Sequence, residues 1–335
     1  MIPKSTARLT SSTVGMGTQT IMPPVSLNPE LQQLAKEFSD WWDARARKLD
    51  KAVRKPLFHY TDMRGMLGII NSEQIWFTSI FHLNDPSELG YGIEMAVSVL
   101  HKEAQKSGSA VTAFCRWMEH LLVKAGGEIF GFFVASFSQN RDDLGQWRAY
   151  ADNGRGVAIG LAPKLFEVVS DLSKLSVAEK TLVADVSYDE ASFELILMKL
   201  IQRAIAVITR GEASIRSSAE REEFGKEIAR LLAAPIFSYA VTYKHPAYAH
   251  EKETRLLLVN DLNKLSSVIE MRVRGSSLVP YISSPLRVRS PGAITKIMIG
   301  PAADKLAEDA IRAFLRKHGL PLDILERSKI PYTAQ

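Results

Sequence analysis

The sequence predicts an α+β fold in which strands and irregular helices are interspersed. Three observations carry this. Short apolar or alternating runs recur from "LFHYT" at Leu57 to "ITKIMIG" near the end of the chain. The helical stretches between them differ in length and do not alternate strictly with strands, which argues against a doubly wound parallel sheet. A helical insertion of unusual length, roughly residues 190–232, interrupts the strands.

The bulk numbers bound the problem. With 335 residues, 46% of them hydrophobic, the chain can bury a large core in one or two domains. A net charge of +5 is compatible with binding phosphates or nucleic acid and requires neither. The single cysteine, Cys115, excludes an intrachain disulfide and a cysteine-based zinc site, and it reads as a small buried hydrophobe. The N-terminus lacks the apolar run of a secretory signal. The longest apolar stretch, "FELILMKLIQRAIAVIT", is broken by Glu194, Lys199, Gln202 and Arg203. The expectation is a soluble, cytoplasmic protein.

Residues 1–28 are rich in Ser, Thr, Gly and Pro and read as a flexible tail, dispensable for folding. A helix over 29–55 follows, with Leu31, Leu34, Phe38, Trp42 and Ala46 near one face and Trp41 and Trp42 as packing anchors. The main domain spans 56–335. "LFHYT" is a strand; Asp62 caps a helix with Met66, Leu67, Ile69 and Ile70 as its apolar positions; "QIWFTS" is the next strand. "FHLNDPSE" turns the chain into helices near 89–106 and 109–125. "GFFVASFSQ" reads as a buried strand. "LGQWRAYADNGRG" is a short helix and a glycine turn before the strand "GVAIGL". After the strand "LVADVSYD" and the insertion come "TRLLLV", "SSVIEMRVRG", "VPYISS" and "ITKIMIG", then the helix "AADKLAEDAIRAFLRKHG" and "LDILERS". No internal repeat, Walker-type loop or G-x-G-x-x-G fingerprint is present.

Several clusters could carry chemistry. His59, Tyr60 and Thr61 end a strand, where they either cap it or line a pocket. Trp76 and Thr78 point one way on their strand and Phe77 and Ser79 the other. Asn84, Asp85, Ser87 and Glu88 either hold a cation or amine or start a helix. Ser136 and Ser138 share a face of an apolar strand, as a polar pocket or a backbone brace. Gln146, Trp147 and Tyr150 lie within about one helical turn. Glu251 and Glu253 share a strand face with Arg255, as working carboxylates or as its salt-bridge partners.

In order, these segments resemble the bacterial domain-of-unknown-function family numbered two-nine-seven-one. The signatures are His59–Thr61, Trp76–Thr78, Leu83–Glu88, Ser136–Ser138, Gln146–Gly160, Glu251–Arg255, Ile299–Pro301 and Ser328–Tyr332. That domain is in turn distantly similar to ADP-ribosyltransferases. The similarity implies a split mixed β-sheet with flanking helices and a large helical insertion, binding NAD as substrate, with no metal expected. His59 would bond the nicotinamide ribose, and Glu253, with Glu251 in a Glu-x-Glu pair, would be the catalytic carboxylate. Ser136 or Ser138 would be the serine of the central strand. Tyr60, Trp76, Trp147 and Tyr150 compete as the ring stacked on nicotinamide, and Thr61 would brace the site. Arg148, Arg155 or Arg255 would hold the pyrophosphate. The implied function is mono-ADP-ribosylation of a protein or nucleic acid, or NAD hydrolysis, as in a toxin or antiphage effector. The alternative is an inactive nucleotide- or partner-binding module. The enzyme expectation brings His59, Trp76, Ser138 and Glu253 to one cleft.

Overall fold

The computed structural model describes residues 26–46, 51–83, 86–104, 109–125, 130–169 and 181–334. Most of the expected tail, and Asn84 and Asp85, lie outside them. The described strands form one open sheet: β1 (Leu57–Thr61), β2 (Gln74–Ser79), β3 (Phe130–Ser138), β4 (Val157–Leu161), β5 (Thr181–Asp185), β6 (Glu253–Asp261), β7 (Glu270–Arg274), β8 (Ser277–Pro285), β9 (Ile294–Ile299) and β10 (Leu325–Arg327). Their order is β10-β9-β4-β1-β3-β2-β8-β7, with β6 paired to β3 and β5 to β6. The sheet is mixed, because β10 runs parallel to β9 while the other pairs are antiparallel.

β3 organises this sheet. Its sequence "FGFFVASFS" is apolar on both faces, as a strand covered on both sides must be. One edge pairs with β6 along its whole length, from Phe130↔Asp261 to Ser138↔Glu253. The other edge is shared. β1 meets it only at Phe58↔Ser138, and β2 only at Thr78↔Val134 and Ser79↔Phe133. Residues 135–137 pair with neither, so the sheet splits at the middle of its central strand.

The helices are α1 (Pro29–Ala46), α2 (Met63–Ser72), α3 (Pro86–Ala104), α4 (Ser109–His120), α5 (Leu144–Tyr150), α6 (Lys164–Val169), α7 (Glu190–Gly211), α8 (Ser218–Ala240), α9 (Leu262–Leu265) and α10 (Ala307–Lys317). Phe132, Val134 and Leu257 join a core with α1, α3, α4, α7 and α8, which marks the helical face of the sheet. Phe133, Ala135, Phe137, Leu256 and Leu258 point the other way, into a second core with Met66 and Ile70 of α2 and Ile311 and Leu315 of α10. A small third cluster, Phe58, Tyr60, Trp147, Ala151, Ala158 and Met298, packs α5 against β1.

Three boundaries differ from expectation. The insertion runs to Ala240, not 232, because α8 continues through Pro235, which is buried in the helical core. A proline inside a helical pattern reads as a stop, but core packing overrides that here. Secondly, α1 is no separate unit: Leu31 and Phe38 are fully buried in the same core as α7 and α8. Thirdly, Asn28 is not tail. It is buried, its Oδ1 accepts from the Glu30 and Leu31 amides at 3.0 and 3.2 Å, and its Nδ2 donates to Glu220 at 2.8 Å. Asn28→Ala is therefore expected to cost about 1 kcal/mol as a lost helix cap, read from urea unfolding. An unchanged midpoint would return Asn28 to the tail. Among the described residues no helix is long and apolar enough to cross a membrane.

Candidate functional site

The interruption of β3 leaves the Ser136 carbonyl without a ladder partner on that edge. His59 supplies one: its Nδ1 lies 3.1 Å from the Ser136 oxygen. A carbonyl only accepts, so Nδ1 carries the proton and Nε2 of the neutral ring keeps its lone pair. Burial pushes the His59 pKa below its ordinary value; the bond to Ser136 opposes this and the nearby charge of Arg272 adds to it. The sequence therefore places a neutral imidazole in the split, with Nε2 able to accept from a hydroxyl.

This shift has a pH consequence. The unfolded histidine takes up a proton below its ordinary value of 6.5, whereas the folded ring stays neutral to lower pH. His59 therefore costs stability as pH falls from about 6.5 towards its folded value, and the loss levels off below that. The His59→Asn variant keeps a donor near the Nδ1 position and cannot charge. Its melting temperature is expected to fall less than that of the wild type between pH 7.5 and 5.5; equal slopes would contradict the shift.

The neighbours of His59 in sequence are not its neighbours in space. Phe58 opposes Ser138, so Phe58 and Tyr60 lie on the helical side while His59 and Thr61 leave from the opposite face. The His59 ring accordingly touches Phe137, at 5.6 Å between centroids. Tyr60 stacks edge-on against Trp147 at 4.8 Å, donates its hydroxyl to the Asn140 carbonyl and accepts from the Asp143 amide. Thr61 abuts the first turn of α2: a Cβ on Gly65 would fall 1.9 Å from its hydroxyl.

Trp147 and Tyr150 are corrections too. Trp147 is fully buried, and its Nε1 donates to Asp142 at 2.7 Å. Tyr150 packs on the same cluster. Asp142 also accepts from Ser328, and the Tyr332 hydroxyl donates to Asn153 at 2.6 Å. The Gln146–Gly160 and Ser328–Tyr332 signatures thus clasp one another, and Trp147 is a packing residue, not a ligand platform. Arg148 and Arg155 are exposed on this side.

Glu253 opposes Ser138 and so lies on the helical face, opposite to His59. The structure therefore does not bring His59 and Glu253 together on one face, as the expected triad requires. Glu253 is 6% exposed and is held by the Arg255 fork, at 2.6 Å from Nε and 2.9 Å from Nη2. Lys244 stands 3.6 Å away and bonds Glu251 at 2.5 Å. Burial works against ionising Glu253, but Arg255 and then Lys244 outweigh it, with help from the Ser136 hydroxyl, and hold the carboxyl below its ordinary range. Arg255 spends its Nη1 on the Val241 carbonyl, so it is not free for a pyrophosphate. Glu251 ends a 3-10 turn instead of entering the strand, and Lys252 at φ 43° separates the two glutamates. Ser138 is a brace: its hydroxyl donates to the Glu251 carbonyl at 2.6 Å and accepts from the Asn140 amide. Two cations and two anions, none more than 6% exposed, form one buried network.

Trp76 remains an open candidate. It shares the helical side with Thr78 and Ser136, is 45% exposed, and lies 4.5 Å from the ring of Tyr281. Arg272 reaches across β8, donates to the Thr78 hydroxyl at 2.9 Å and sits 5.3 Å over the indole. Sequence reasoning missed Arg272, Tyr281 and Lys244. "EMRVRG" and "VPYISS" read as plain strands, and only the register of β2, β8 and β7 joins them to Trp76.

The sequence model of a family described as "Protein of unknown function (DUF2971)" matches residues 146–256. That span runs from α5 through the insertion to the Glu251–Arg255 network, and the family number agrees with the one read from the signatures. Comparison with curated proteins and with solved structures finds no match to the chain.

Proposed function

We propose that the protein binds a nucleotide, NAD or a relative of it, in the split between β1 and β2, and that it does so as a binding module. The observation that carries this is the neutral His59 held across the split by the Ser136 carbonyl; the exposed indole of Trp76 borders the same split from the helical side, so a ligand that meets both passes through the split. An imidazole acceptor suits a ribose hydroxyl, and an exposed ring suits a base or a nicotinamide. The binding reading takes precedence over catalysis because Glu253 is neutralised by Arg255 and Lys244.

The second reading is the ADP-ribosyltransferase-like enzyme, acting on NAD with a protein, a nucleic acid or water as acceptor. The split central strand favours it, since an interrupted sheet is what the similarity to those enzymes implies. Cleaving the nicotinamide–ribose bond needs negative charge beside an oxocarbenium-like sugar. Glu253 would have to leave Arg255 to supply it.

Titrating NAD into the wild type and into His59→Asn, with nicotinamide release followed in parallel, separates the two. Binding without release, weakened roughly 3- to 10-fold in His59→Asn, is the expected result. Release that His59→Asn and Glu253→Gln both abolish would establish the enzyme instead. No NAD binding by the wild type would end both readings.

A further inference from the structure

Arg272 is a half-buried cation without a counter-ion among the described residues. Its Nη2 donates to a neutral hydroxyl, its guanidinium covers part of an indole, and its Nε is buried with no partner. Burial and the charge of Arg274 depress its pKa, and Tyr281 alone opposes them. The carboxylate on its own strand, Glu270, takes the Tyr281 hydroxyl at 2.9 Å. An uncompensated, partly desolvated guanidinium is costly to a folded protein. Its planar donors suit phosphate oxygens. It stands beside the exposed Trp76, and its charge is felt by His59 at the split.

We propose that Arg272 is the anion-binding residue of the site, taking a phosphate of the nucleotide while Trp76 beside it stacks on the ring. The assignment rests on the reading of the split as a nucleotide site. It replaces Arg148, Arg155 and Arg255, which are either exposed beside α5 or committed to Glu253. It also accounts for the ring: the indole, Thr78 and Arg272 lie on one face of β2 and β7, so a base on Trp76 carries its phosphate towards the guanidinium.

The test is calorimetric titration of the full chain with ADP, adenosine and inorganic pyrophosphate at one ionic strength, using wild type, Arg272→Gln and Arg272→Lys, with melting temperatures of the unliganded proteins. Arg272→Gln is expected to weaken ADP roughly 10- to 100-fold and to leave adenosine within about 2-fold. Arg272→Lys recovers part of the loss. Unliganded Arg272→Gln should melt no lower than wild type, since the charge it removes has no counter-ion among the described residues. If instead Arg272→Gln melts clearly lower with ADP affinity unchanged, the arginine is a brace for Thr78 and Trp76 and the proposal fails. It fails equally if the wild type binds neither ADP nor pyrophosphate. If His59→Asn leaves ADP binding intact while Arg272→Gln abolishes it, the arginine assignment stands and the reading of the split is what fails.

Discussion

Glu253→Gln is expected to lower the free energy of unfolding by about 3–5 kcal/mol, a large share of the roughly 5–15 kcal/mol that a native protein holds. The amide is itself easy to bury. The cost comes from what it leaves behind: Arg255, 3% exposed, and Lys244, 2% exposed, then share a buried network from which one of the two glutamate charges has gone. Chemical denaturation measures the loss. Pairing the change with Arg255→Gln should recover part of it, because a double-mutant cycle in a shared ion network is far from additive. The opposite pattern belongs to a catalytic carboxylate: intact stability, and NAD cleavage slowed roughly a hundredfold or more. Seeing that pattern would return Glu253 to the active site.

Trp147→Ala is the second large effect. A fully buried indole against Tyr60 leaves a cavity on truncation, with an expected loss of about 3–5 kcal/mol. Asp142 loses its Nε1 donor and keeps Ser328. Trp147→Phe keeps most of the packing and should fold with nearly wild-type nucleotide affinity. A folded Trp147→Phe that binds ADP tenfold more weakly would show that the indole is a stacking ring after all.

Much of the frame was legible because local rules and packing agree in it. Asp62 caps α2 as its position suggests, with Oδ1 accepting from the Gly65 amide, and Met66 and Ile70 turn inward at helical spacing. Phe77 is buried and Trp76 exposed, as alternation on β2 requires. The same alternation, applied to His59-Tyr60-Thr61, is enough to set Tyr60 apart from its two neighbours. Other features had no local signal. Which face Glu253 takes relative to His59 depends on the registers Phe58↔Ser138 and Ser138↔Glu253, contacts between residues 80 or more positions apart. Lys244 meets Glu251 through the turn that begins at Pro246, and Arg272 meets Trp76 only because β8 lies between their strands. The continuation of α8 past Pro235 is likewise a packing result, since the helix propensity of that position argues against it.

The proposed site turns on a neutral His59 that bonds Ser136 through Nδ1 and offers Nε2 to a nucleotide. Nitrogen-15 correlation spectra of the imidazole rings test it directly, with His59 assigned among the seven histidines by loss of its signals in His59→Asn. A neutral, Nδ1-protonated ring that persists below the ordinary midpoint for histidine is expected. Its Nε2 resonance should move on addition of NAD or ADP. A ring protonated on Nε2, or an Nε2 resonance unmoved by saturating nucleotide, would contradict it.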